Sequence, residues 1–119
     1  MASGIGVLEQ VIAVVRDVAQ HVILPRYLQV DRQVKSDGSF FTEADVAAQN
    51  ALLAALQQIC PAAAMGEEMS EQEQEEQWQK GLNGLWSVDP IDGTSNFLNG
   101  LPYFAISVAF MEQGKSILG

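Results

Sequence analysis

A chain of 119 residues, 48% of them hydrophobic, has room for one domain with a modest core. Fifteen acids against six Lys and Arg leave a net charge of −9, which argues against nonspecific binding to nucleic acid or anionic membrane. The single cysteine, Cys60, excludes an internal disulfide. It follows a helical pattern, precedes Pro61 and has no His nearby in sequence, so it reads as a small buried or half-buried residue rather than a nucleophile.

The N-terminus shows neither a basic region nor a long apolar run. No secretory signal or membrane span is expected, and a cytoplasmic protein is the default. From Val7 to Leu24, apolar residues at Leu8, Val11, Ile12, Val15, Val18, Ala19, Val22 and Ile23 follow helical spacing, with Pro25 as the expected end. His21, near that end, reads as a cation at a helix C-terminus or a surface residue. Val34-Lys35-Ser36 and Ser39-Phe40-Phe41 flank Asp37-Gly38, a hairpin turn signal.

A second helix is expected from about Thr42 to Ile59, its apolar face rich in alanines that permit close helix approach, with Pro61 as the stop. Ala62 to Gly66 reads as a short strand delivering Glu67. Ser70 to Lys80, polar with Trp78 as its only large apolar anchor, reads equally as a surface helix or a loop. Leu85 to Asp89 is an expected strand. Phe104, Ile106, Val108 and Phe110 alternate with smaller residues as in a strand covered on at least one face. Glu112-Gln-Gly-Lys115 is a hairpin turn into a last strand, Ser116 to Leu118. The order predicts an α/β protein of α+β type: a two-layer sandwich, with a helix pair on a mainly antiparallel sheet.

Chemistry concentrates in the run from Trp86 to Phe97, Trp-Ser-Val-Asp-Pro-Ile-Asp-Gly-Thr-Ser-Asn-Phe. Hard divalent cations take oxygen ligands, and a tight turn lets Asp89, Asp92 and a backbone carbonyl converge on one. Amides of Gly93, Thr94 and Ser95, at the start of a short helix, offer partial positive charge to an anion. Carboxylates for a metal beside bare amides for a phosphate point to metal-assisted phosphoryl chemistry. Asp-Pro and Asp-Gly are also ordinary turn dipeptides, Gly66-Glu67-Glu68 an ordinary acidic turn, and Thr42-Glu-Ala-Asp45 an ordinary capping box.

Asp-Pro-Ile-Asp-Gly-Thr-x-Asn-Phe, preceded by Gly66-Glu67-Glu68, resembles the inositol monophosphatase family of Mg2+-dependent, lithium-sensitive phosphatases. The resemblance runs from the first helical pattern through Gly119. It implies that Asp89 bridges two cations, Asp92 binds the second, the Ile91 carbonyl binds the first, and Glu67 is a further metal ligand, with Glu68 in a supporting place. It also implies that Asp45 pairs with Thr94 to activate the attacking water, that Gly93, Thr94 and Ser95 hold the phosphate, and that Lys35 gives electrostatic support.

The implied reaction is hydrolysis of a small, inositol monophosphate-like ester by metal-activated water. Histidinol phosphate and 3'-phosphoadenosine 5'-phosphate are alternative substrates. Family members are longer, commonly dimeric, and carry a Trp-Asp-x-Ala-Ala-Gly-type motif in a C-terminal half; nothing here matches it. Residues 1–119 are therefore expected to be the N-terminal metal- and phosphate-binding domain of such an enzyme. A non-catalytic fragment that binds metal weakly is the other reading. On either view, acids from separate segments should meet at the lip of a sheet.

Overall fold

The computed structural model describes residues 4–27, 32–34 and 40–119. In chain order these form α1 (Gly4–Val18), β1 (Arg32–Val34), β2 (Phe40–Thr42), α2 (Glu43–Ile59), β3 (Ala63–Gly66), α3 (Glu71–Lys80), β4 (Leu85–Asp92), α4 (Thr94–Leu98), β5 (Ala105–Glu112) and β6 (Lys115–Leu118). Strands β3-β4-β5-β6 make one mixed sheet; β3 and β4 are parallel, and the other two pairs antiparallel. Strands β1 and β2 pair separately as the two arms of the expected hairpin. Its Asp37-Gly38 corner and Lys35 lie outside the described residues.

Helices α1 and α2 pack against each other, and α2 lies on β4. Ala44, Ala48, Leu52 and Leu56 are fully buried along α2. They meet Ala64, Trp86, Val88 and Phe110 from the sheet in one core. The small side chains at Ala44 and Ala48 allow the close approach. Trp86 sits edge-on to Phe110 with ring centroids 4.8 Å apart, and its indole N–H donates to the Cys60 carbonyl at 2.9 Å. Half-buried Cys60 is thus a packing residue at the helix end.

Pro25 does not end the first helix. The chain widens into a π-helical turn over Ala19–Ile23 and then tightens into a 3-10 turn over Leu24–Arg26 before stopping at Tyr27. Proline is tolerated here because it stands in the first turn of the new segment, where its missing N–H has no bond to lose. His21 is exposed, with Nδ1 3.0 Å from Asp17 Oδ1 one turn back.

Ser70 to Lys80 resolves as a helix with few apolar contacts of its own. Ser70 is the N-cap of a reciprocal capping box with Glu73. Two glutamines dock it to the edge of the sheet: Gln77 Oε1 accepts the Ala64 N–H at 3.1 Å, and Gln74 Nε2 donates to the Gly66 carbonyl at 3.1 Å. An exposed strand edge is thereby covered by side-chain amides. Ser70→Ala should destabilise this helix by about 1 kcal/mol. Faster amide hydrogen exchange across residues 71–80 would register the loss; unchanged exchange would mean that the glutamine docking alone holds the helix.

Candidate active site

Asp89 and Asp92 stand three residues apart and would face opposite sides of a regular strand. Strand β4 runs past the expected end at Asp89 and shifts register between the two: Asp89 pairs with Ser107 but Asp92 with Ala105. Three steps on β4 thus match two on β5, the signature of a one-residue bulge. The extra residue returns Asp92 to the face that carries Asp89. Buried Pro90, which has no N–H to give the ladder, lies inside the bulge.

Glu67 reaches the same face from β3. Gly66 pairs with Val88 in the parallel ladder, and the Glu67 N–H donates to the Val88 carbonyl at 2.9 Å, which sets Glu67 beside Asp89. The two acids share an open cleft of about 140 Å³ with Met65, Gln74, Ser87 and Ser107. Asp92 is exposed at the end of β4. Among the described residues, no three His, Cys, Asp or Glu side chains are gathered tightly enough to hold an ion. The acids share one face, but their side chains do not close into a ligand set.

Burial pushes the Asp89 carboxyl above its ordinary range, and the nearby charges of Glu67, Asp92 and then Asp45 add to the rise; a backbone hydrogen bond from Ile91 offsets part of it. Among the described residues, the buried Asp89 Oδ1 has no hydrogen-bond partner. An orphaned buried acceptor among other carboxylates is chemically matched to a hard cation, so the donor chemistry fits the ion that the resemblance implies.

Asp45 stands in the first turn of α2 and is fully buried. Its Oδ2 accepts the N–H and hydroxyl of Thr42, both at 2.7 Å, while the Thr42 hydroxyl accepts the amides of Ala44 and Asp45. The capping box is therefore present, and it uses only one carboxylate oxygen. The other, Oδ1, lies 3.0 Å from the Thr94 hydroxyl, which is also 3.2 Å from the Ile91 carbonyl. Capping and the Thr94 contact coexist on a single carboxylate.

Gly93 precedes α4 with φ of 98°, and a Cβ there would meet the Tyr103 carbonyl at 2.9 Å. Conformation and space both demand glycine at this turn. Behind it, fully buried Phe97 packs against Phe104 and Tyr27, with centroids 5.1 Å and 5.6 Å away. The Asn96 side chain donates to the Tyr103 carbonyl at 2.8 Å. These contacts anchor the turn bearing Gly93, Thr94 and Ser95. Of the acidic pair at 67–68, Glu68 offers its backbone N–H to Gln49 Oε1 at 2.7 Å. Gln49 has no motif of its own; its one signal in the sequence is its place four residues after Asp45, a second polar side chain on an otherwise apolar stripe.

A mixed four-stranded sheet backed by two helices matches part of the fold of inositol monophosphatases of known structure. The Thermotoga maritima IMPase matches it with a TM-score of 0.76 and 35% identity, over 92% of this chain and 41% of that one. The chain belongs to the inositol monophosphatase family, whose model matches residues 5–119. Nus factor SuhB of Pseudomonas aeruginosa is 40% identical over 82 residues, which is 68% of this chain and 29% of that protein. The 3'(2'),5'-bisphosphate nucleotidase CysQ of Salmonella typhimurium is 36% identical over 87 residues, 71% of this chain and 34% of that protein. The chain thus spans 29 to 41% of the length of these relatives.

Proposed function

We propose that these residues form the N-terminal metal- and phosphate-binding domain of an enzyme that hydrolyses a small phosphate monoester with water. The observation that carries the reading is the buried Asp89 Oδ1, which has no hydrogen-bond partner among the described residues, set on one sheet face with Glu67 and Asp92. Glu67, Asp89, Asp92 and the Ile91 carbonyl would hold Mg2+. A bound divalent cation supplies Lewis acidity to a phosphoryl oxygen and acidifies a water.

The remaining work falls to the chain itself. With its proton directed at Asp45 Oδ1, the Thr94 hydroxyl turns its lone pairs outward to orient a water, and Asp45 receives that water's proton through it. The amides of Gly93, Thr94 and Ser95 face the phosphate as charge shifts toward the leaving oxygen. By the same resemblance the substrate is an inositol monophosphate-like ester, with histidinol phosphate and 3'-phosphoadenosine 5'-phosphate as the alternatives. Inhibition by Li+, a homodimer of the longer enzyme, a cytoplasmic setting and electrostatic support from Lys35 belong to the same proposal.

Metal binding and turnover test it separately. Mn2+ titration of the 119-residue chain, followed by electron paramagnetic resonance, should show weak, saturable binding that Mg2+ competes away. Release of inorganic phosphate from inositol 1-phosphate, histidinol phosphate and 3'-phosphoadenosine 5'-phosphate should be slight for these residues alone. A polypeptide continuing into a Trp-Asp-x-Ala-Ala-Gly half should show Mg2+-dependent, Li+-inhibited release, fastest on inositol 1-phosphate. Absence of saturable Mn2+ binding, or turnover indifferent to Mg2+, overturns the reading.

A further inference from the structure

The turn that carries Glu67 is held at both peptide planes flanking that residue. On the N-terminal side, the Glu67 N–H is fixed to the Val88 carbonyl at 2.9 Å. On the C-terminal side, the N–H of the peptide joining Glu67 to Glu68 is fixed to Gln49 Oε1 at 2.7 Å. Anchoring both planes sets φ and ψ at Glu67 and so aims its Cα–Cβ bond. The Met69 N–H closes the turn onto the Gly66 carbonyl at 3.1 Å, and Gln74 Nε2 braces the carbonyls of Gly66 and Met69 from the α3 side, each at 3.1 Å.

Gln49 is buried, at 6% exposure, on the same stripe of α2 as Asp45. A buried amide is unfavourable in an apolar stripe unless its polar atoms are matched, and an aliphatic side chain would fill the space as well. Its acceptor meets one specific N–H, at the corner next to Glu67. The glycine before the turn completes the fit: a Cβ on Gly66 would lie 2.3 Å from Gln49 Oε1 and 2.5 Å from its Cδ. Gly66 is bare so that Gln49 can pass beneath the turn.

We propose that Gln49 is a positioning residue that aims the Glu67 carboxylate at Asp89 through the Glu68 amide, preorganising the divalent-cation site. The inference rests on the metal reading given above. Gln49→Met keeps the length and removes the acceptor, whereas Gln49→Glu keeps it. In the 119-residue chain, Gln49→Met should speed hydrogen exchange of the Glu68 amide by about fivefold or more. It should also weaken Mn2+ binding by about ten- to hundredfold, the usual effect of losing an outer partner of a ligand. Gln49→Glu should restore both.

If Gln49→Met fails to fold, Gly66→Ala provides the same test by displacing the Gln49 side chain. Combining it with Gln49→Ala should then relieve the clash, giving a non-additive cycle in stability. Lost Glu68 protection with Mn2+ affinity within about twofold of the parent, far below the effect expected of an outer partner, would make Gln49 purely structural and overturn the inference. Retained protection would overturn it too. A parent chain that binds no Mn2+, or binds it no better than Asp89→Asn does, would instead sink the metal reading, and this inference with it.

Discussion

Asp89→Asn will make the metal-free chain more stable and will abolish its affinity for divalent cations. Both effects come from one cause. The Asp89 carboxyl is raised above its ordinary value of 3.8 by burial first, then by the charges of Glu67 and Asp92. Between 3.8 and the folded-state value, the native chain holds a proton at Asp89 that the unfolded chain has released. The contribution of this group to stability is therefore fully present below 3.8 and fades as pH rises through the folded-state value. At neutral pH the raised Asp89 carboxyl opposes folding, and an amide of the same shape removes that opposition.

Thermal midpoints measured from mildly acidic to neutral pH should show Asp89→Asn above the parent at pH 7, with the gap closing as pH falls. Mn2+ affinity should drop by more than about hundredfold, beyond the usual loss for an outer partner. A variant less stable than the parent at neutral pH would show that Asp89 is held by interactions favouring its charge, contrary to the site as described. Adding Mg2+ should stabilise the parent alone, since binding to the native state shifts unfolding by mass action.

The second large effect is at Asp45. Asp45→Ala removes the acceptor of the Thr42 N–H and hydroxyl inside a fully buried network. It should destabilise the fold by about 3 kcal/mol, combining a lost cap with a stranded buried donor. Urea unfolding should show a lower midpoint with an unchanged slope. Two neighbours divide the structural role from the chemical one.

Thr42→Ala removes the cap hydroxyl and leaves the Thr94 hydroxyl on Asp45, so it should lose about 1 to 2 kcal/mol of stability while a catalytically competent polypeptide keeps most of its turnover. Thr94→Val breaks the Asp45 contact at about 1 kcal/mol and should reduce turnover nearly as far as Asp45→Ala does, because groups acting as a unit fail together. Full turnover in Thr94→Val would leave Asp45 as a helix cap and nothing more.

Particular elements show what could be read from residue order and what could not. The Thr42-x-x-Asp45 box and the apolar period of α2 placed that helix to within a residue, because both are local signals. The Gln113-Gly114 corner was equally legible; its φ values of 52° and 74° are the left-handed pair that a tight hairpin requires. Strand β4 was recognised but cut short at Asp89, since Pro90 looks like a stop and a bulge is defined only by the partner strand. The Ser70–Glu73 capping box was present in the sequence too, but α3 lacks an apolar stripe to confirm it. Beside that cap, the helix is docked by glutamine contacts to a strand edge, which no apolar periodicity encodes.

The amino-acid order by itself determined the chemical inventory: four acids, a Thr and a Gly-led turn, in motifs whose backbone preferences are local. Only the tertiary structure decided how they meet. The register slip between Asp89 and Asp92 turns two opposed carboxylates onto one face. Pairing of β3 with β4 brings Glu67 beside them, and the contact between α2 and α4 joins Asp45 to Thr94 across 49 positions. Which face a side chain takes depends on pairing partners far away in sequence, and that is why Gln49, a lone polar residue on an apolar helix stripe, acquired meaning only when the turn above it was seen.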